Sequence, residues 1–238
     1  MHTDAEEATA KACLATSTTM ILSTAATRTI EQVASANGNG HRWYQLYWPK
    51  PQDESITLSL LNRARDNGYT VLVVTLDTFN LAWRPTDLDH SYLPFLWGDG
   101  CQIGHSDPVF NARYEESLKA DVRPVSEKLV EAWSLIKRPG SLYGAAKLLA
   151  NAKNIKKSQA WLGVLNSGTY REWEHLEILK EHWKGPIVLK GIQTVEDARR
   201  AIEFGMDGII VSNHGGRQLD GRYHKSSGEE RSYETVLM

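Results

Sequence analysis

Long apolar runs, cysteines and net charge are all scarce in this sequence. No stretch approaches the roughly 20 apolar residues of a helical membrane span, so none is expected. Cys13 and Cys101 are the only cysteines, and two reduced thiols are expected rather than a disulfide framework or a metal site. The formal net charge is −2, which gives no overall electrostatic case for a nucleic-acid partner or an anionic membrane surface. The opening "MHTDAEEATA" is acidic and helical, unlike a signal or transit peptide, and the closing Val-Leu-Met is not a peroxisomal tripeptide. An intracellular, cytoplasmic protein is the expectation. No Gly-x-Gly-x-x-Gly follows a first strand, so the dinucleotide-binding fold lacks its main signature. Internal repeats and low-complexity segments are also missing.

What is present is a rhythm. With 238 residues, 41% of them hydrophobic, the chain can bury a real core. Thr3-x-x-Glu6 predicts a capped helix to about Ala15, and Thr29-x-x-Gln32 caps a second one. Met20–Ser23, Arg42–Trp48, Thr70–Thr75, Pro186–Gly191 and Gly208–Asn213 predict short strands. Helices are predicted over Asp53–Asn67, which Gly68 ends, over Tyr170–Trp183, and from Thr194 to Phe204. The segment 79–158 breaks the rhythm with a polar, aromatic loop and helix-like stretches near Ser126–Ile136 and Leu142–Ala152. It predicts a lid-like insertion.

Strands that are apolar throughout, alternating with helices, predict an α/β fold with a parallel sheet under helices. Ser23, Gln45 with Tyr47, Thr75 with Asp77, Lys190, and Ser212 with His214 each stand at or just past the end of a predicted strand. In a (β/α)8 barrel those ends open on one face, where such enzymes keep their chemistry. Core packing alone does not generate five polar strand ends.

Each candidate has a plainer alternative. His214 between Asn213 and Gly215-Gly216 suits a general base on a turn that approaches a ligand closely. Arg217, three residues on, suits a carboxylate, although a loop His with a solvated Arg is common. Asp77 could orient an imidazole or simply form a turn with Thr78. Arg84 could hold a second carboxylate contact or lie exposed. Tyr47 could bind substrate or pack in the core with its hydroxyl satisfied. Lys190, ending "PIVLK", points toward a barrel mouth.

The stretches "ILSTAATRTIEQVAS", "RWYQLYW", "VVTLDT…WR" and "PIVLKGIQTVEDARRAIEFGMDGIIVSNHGGRQLD" together resemble the FMN-dependent 2-hydroxy acid oxidases and dehydrogenases. That family includes glycolate oxidase, lactate oxidase, lactate monooxygenase and the flavin domain of flavocytochrome b2. The stretch "WRPTDLDHSYLPFL…SDPVF" looks most like lactate monooxygenase and its fungal relatives. The resemblance implies a (β/α)8 barrel with FMN at its mouth and oxidation of a small, lactate-like L-2-hydroxy acid to the 2-oxo acid. The electrons would pass on to oxygen or a redox protein, and a homo-oligomer is the expectation. It implies Ser23, Gln45, Thr75, Lys190 and Ser212 as cofactor contacts. It implies Tyr47, Arg84 and Arg217 as substrate contacts, with His214 as the base and Asp77 as its support. Ala25 stands where glycolate oxidases carry a tryptophan, which implies room for a larger substrate side chain.

The family also has a first strand before "MHTDAEEATA" and two phosphate-gripping strands after Arg-Gln-Leu-Asp. Residues 1–220 are therefore expected to hold strands two to six, with the insertion after the fourth family strand. Residues 221–238 are expected to be a disordered polar tail foreign to the family. A non-catalytic remnant unable to hold FMN is the competing expectation.

Overall fold

A computed structural model describes residues 2–90, 92–124, 126, 127, 130, 133, 142–218 and 235–237. Five parallel strands pair in chain order: β1 (Met20–Ser23), β2 (Arg42–Tyr47), β3 (Val71–Thr75), β4 (Ile187–Ile192) and β5 (Gly208–Val211). Each cycle returns through helix: α1 (Glu6–Ala15), α2 (Ile30–Asn37), α3 (Glu54–Asp66) and, later, α8 (Leu176–His182) and α9 (Val195–Glu203).

The two sheet faces carry different residues because successive strand side chains alternate. Tyr44, Leu46, Leu72, Val74, Ile187 and Leu189 join the large core with the helices, whereas Val71, Val73, Val188 and Ile210 form a separate small cluster with Trp43. All five residues of β3 are buried, as fits its run of four β-branched residues and one leucine. A doubly wound sheet reverses its strand order and covers both faces with helices. Here the order never reverses, and the described helices contribute to the one large core. This is an arc of a (β/α) barrel wall, as expected.

Local signals were honoured unevenly. Thr29 and Gln32 form their reciprocal cap, and Thr194 accepts from Asp197 N. Thr3 caps nothing: α1 starts after Ala5 with no side-chain cap, and Glu6 instead accepts from Thr27 N at 3.0 Å. That carboxylate ties α1 to the loop beyond β1.

Part of the segment 79–158 packs into the main core. The segment contains α4 (Pro85–Asp89), α5 (Gln102–His105), α6 (Pro108–Ala120) and the start of α7 (Leu142–Leu165). Asp107 caps α6 through Phe110 N, with Pro108 in the first turn. The fully buried Asp107 also pairs with Arg63 of α3 at 3.2 Å and accepts from Ser59. Cys101, Ile103 and Phe110 lie in the main core beside Trp161. α5 passes so close to Trp161 that a Cβ on Gly104 would meet its ring at 2.0 Å. Cys13 and Cys101 are free thiols. Most of the helix expected near 126–136 lies outside the described residues.

One expectation for the tail needs correction. Thr235–Leu237 forms a strand, β6, antiparallel to β5, so these three residues are not disordered. The rest of 219–234 lies outside the described residues. No described helix is long and apolar enough to cross a membrane.

Candidate active site

Strand register builds the site. Ser23 pairs with Gln45, Tyr47 with Thr75, and Thr75 with Lys190, so these side chains fall along one sheet edge. Ser23 Oγ donates to Gln45 Oε1 at 2.8 Å, and Gln45 Nε2 donates to Thr75 Oγ1 at 2.7 Å. Thr24, wholly buried, donates to Gln45 O at 2.6 Å and accepts from Tyr47 N at 3.1 Å. It pins the ends of β1 and β2 together, a role that the sequence did not announce.

Asp77, two residues past β3, is the hub. Its Oδ1 lies 2.9 Å from His214 Nδ1, and its Oδ2 lies 2.9 Å from both Lys190 Nζ and Ser212 Oγ. Lys190 Nζ also donates to Ser212 Oγ at 2.9 Å, and His214 N donates to the same oxygen at 3.0 Å. Burial works to raise the Asp77 pKa. The hydrogen bond from His214 and the charge of Lys190 outweigh it and hold the carboxyl below its ordinary range. An ionised carboxylate only accepts, so this bond requires a proton on His214 Nδ1 and leaves Nε2 as the ring nitrogen that faces away from Asp77.

Two backbone features make the hub. Gly191 has φ +106°, and a Cβ there would meet Asp77 N at 2.6 Å and Asp77 Cβ at 2.7 Å. Only glycine lets β4 pass this close. In the turn after β5, His214, Gly215 and Gly216 all have positive φ, at 62°, 65° and 69°. The glycines were expected to turn this way; His214 shares the strain that such residues store at functional sites. Asn213 Oδ1 accepts from Gly216 N at 3.1 Å and closes the turn.

A cavity of about 260 Å³ opens above the hub, lined by His214, Tyr47, Arg84 and Arg217 among others. Tyr47 has its ring centroid 6.4 Å from that of His214. Burial, joined by the charge of Asp77, raises the Tyr47 pKa, so its hydroxyl remains a donor. Desolvation and the facing charge of Arg217 lower the Arg84 pKa. The nearest acid, Asp87, stands 3.9 Å from Arg84, and among the described residues no carboxylate pairs with Arg217. Two cations thus converge on one cavity, a geometry that invites an anion.

Gln218 sets that geometry, and sequence reading passed over it although it follows Arg217 directly. Its Nε2 donates to Asn80 O at 2.7 Å, and its Oε1 accepts from Ala82 N at 3.2 Å. Arg84 Nε then reaches Arg217 O at 3.4 Å. The structure thus brings all ten expected residues to one mouth, in two groups. Ser23, Gln45 and Thr75 form a neutral row, whereas Lys190 and Ser212, expected at the cofactor, bond directly to Asp77. The row of amide and hydroxyl groups, flanked by an ammonium, suits the polar edge of a flavin ring, which alternates donors and acceptors.

A barrel-wall sheet bearing a buried carboxylate–imidazole pair under two arginines is an α/β-barrel arrangement that suits an anion. The FMN-dependent dehydrogenase family model matches residues 1–225, five residues beyond the expected boundary, and the chain belongs to that family. FMN is the family's cofactor. An FMN-dependent alpha-hydroxy acid dehydrogenase of Penicillium citrinum is 47% identical over 220 residues, covering 92% of this chain and 47% of the relative. An L-lactate oxidase of Lysinibacillus sphaericus is 34% identical, covering 93% of this chain and 47% of its own. Among solved structures, a lactate oxidase of Pediococcus acidilactici matches with TM-score 0.60 and 25% identity, over 92% of this chain and 45% of that one. A mandelate oxidase matches with TM-score 0.58 and 28% identity, over 92% and 46%. The chain spans about half the length of the relatives it matches.

Proposed function

We propose that this site oxidises a small L-2-hydroxy acid to the 2-oxo acid with FMN as the first electron acceptor. The observation that carries the reading is the Asp77–His214 pair beneath the converging Arg84 and Arg217. The two guanidiniums take the substrate carboxylate, and Tyr47 donates to its hydroxyl or carboxylate oxygen. His214 Nε2 takes a proton from the substrate, and Asp77 stabilises the imidazolium that results. FMN, when bound, would supply the acceptor for the two electrons and the second proton lost by the hydroxy acid. Ser23, Gln45 and Thr75 would hold its ring, and Lys190, shared with Asp77, would add positive charge nearby. Oxygen uptake by the FMN-loaded chain would distinguish oxygen from a redox protein as the final acceptor. A homo-oligomer remains part of the proposal, and sedimentation tests it.

The 238-residue chain is to be purified, loaded with FMN and mixed anaerobically with L-lactate. Bleaching of the flavin absorbance supports the reading, and retained flavin that no 2-hydroxy acid reduces overturns it. The second reading is a non-catalytic relative that does not retain FMN. Failure to bind FMN at all would select it.

A further inference from the structure

Thr24 follows β1 directly, is wholly buried, and belongs to neither the neutral row nor the arginine pair. Its hydroxyl is fully engaged. The one proton goes to Gln45 O at 2.6 Å, and Tyr47 N donates to the hydroxyl oxygen at 3.1 Å. Tyr44 Oη lies 3.2 Å away, and burial raises that phenol's pKa, so Tyr44 keeps its proton and fills the remaining lone pair. β1 has ended at Ser23, so the Thr24 side chain stands in for a strand partner at Tyr47 N.

Gln45 and Tyr47 are two apart on β2, so their side chains leave the same side of the strand. Gln45 is the middle of the neutral row, bonded to Ser23 and Thr75, and Tyr47 lines the cavity beside His214. Thr24 grips the backbone of both. A buried threonine needs only one acceptor for its proton, and a carbonyl of its own turn would serve. Two of the three bonds here go instead to the residues that reach toward a ligand.

We infer that Thr24 is a positioning residue that holds the flavin-facing Gln45 and the substrate-facing Tyr47 at one fixed separation. The inference rests on the proposed 2-hydroxy acid reading, which gives those two side chains their roles. Without the hydroxyl, Tyr47 N and the Tyr44 phenol are left buried without this acceptor, which costs more than the bonds themselves contribute, so β2 shifts to find others. That shift moves Gln45 and Tyr47 together. The Asp77–His214 pair, built on the residues past β3 and β5, stays where it is.

Thr24→Val keeps the shape and removes the hydroxyl, whereas Thr24→Ser keeps the hydroxyl. Quenching of FMN fluorescence and calorimetry with L-lactate, both on the 238-residue chain, read the two contacts without turnover. We expect Thr24→Val to weaken both ligands by about tenfold, roughly the effect of one buried hydrogen bond, and Thr24→Ser to restore them. In a Tyr47→Phe background the further loss of lactate affinity on Thr24→Val should shrink to about twofold or less, because Thr24 then has no phenol to place. A general loss of packing would add in full. If Thr24→Val does not fold, amide exchange on the wild type decides: Tyr47 N–H should exchange more slowly with either ligand bound. Undiminished affinity in Thr24→Val, no rescue by Thr24→Ser, full additivity with Tyr47→Phe, or Tyr47 exchange that ignores both ligands overturns the inference while the functional reading stands. Binding of neither ligand by the wild type overturns the functional reading, and this inference with it.

Discussion

Asp77 and His214 face each other at 2.9 Å across 137 positions of sequence, and the second Asp77 oxygen is held by Lys190 and Ser212. The carboxylate therefore cannot turn away from the imidazole without breaking an ion pair. Asp77→Asn keeps the shape but loses the charge that fixes the His214 tautomer. We expect turnover to fall by about a hundredfold or more, within the range of general-base and orienting-carboxylate effects. Acid affinity, set by the arginines, should change little. Stopped-flow flavin reduction and calorimetry separate the two.

Gly191 is the residue that admits Asp77. A Cβ there would fall 2.6 Å from a backbone nitrogen, at a φ of +106° that disfavours any other residue. Gly191→Ala should lower stability by about 2 kcal/mol or more, from strain and overlap together. Urea unfolding measures the loss, and the surviving protein should show slowed reduction because Asp77 has moved.

Gln218 holds the backbone at Asn80 and Ala82, just ahead of Arg84, through two hydrogen bonds and is not itself a lining residue of the cavity. Gln218→Ala should raise KM for the 2-hydroxy acid by about tenfold, as expected when ground and transition states lose the same contact. The turnover number should hold. A fall in kcat alone would show that Gln218 acts elsewhere.

His105 gives a pH signature unrelated to catalysis. Burial, with help from the charge of Lys157, lowers its pKa to about 4 from an ordinary 6.5. Between those values the unfolded chain takes up a proton that the folded chain refuses. His105's contribution to stability is thus complete above pH 6.5 and is lost as the pH falls toward 4. Chemical denaturation of the wild type against His105→Gln across that window should show the wild type losing more.

Gly104→Ala tests whether 79–158 belongs to the core. A Cβ 2.0 Å from the Trp161 ring must push helix or indole aside. We expect a loss of about 1–3 kcal/mol, the usual range for overpacking. Unchanged stability would return the segment to a loosely draped cover.

The strands and the site's membership were legible because both depend on local pattern. Val71–Thr75 is buried on every side, so its composition declares it, and polar residues at strand ends have few structural reasons to exist. Partnership was less legible. The family resemblance implies Lys190 as a cofactor contact, and the pairing of Thr75 with Lys190 also brings it beside Asp77. Register between strands so far apart in sequence has no local signature. α6 was missed because Phe110 is its only buried residue, leaving Asp107-Pro108 as the one available cue. Gly191 could not be recognised at all, since its neighbour Asp77 lies past the end of another strand.

Trp161 and Leu162 are adjacent on α7, one sealed in the core and the other on the cavity wall. The wall of the cavity and the anchor of the helix are thus one peptide bond apart. A shift of the Trp161 indole is therefore a shift of the cavity wall, so the shape of the site is tied to the packing of the segment beneath it.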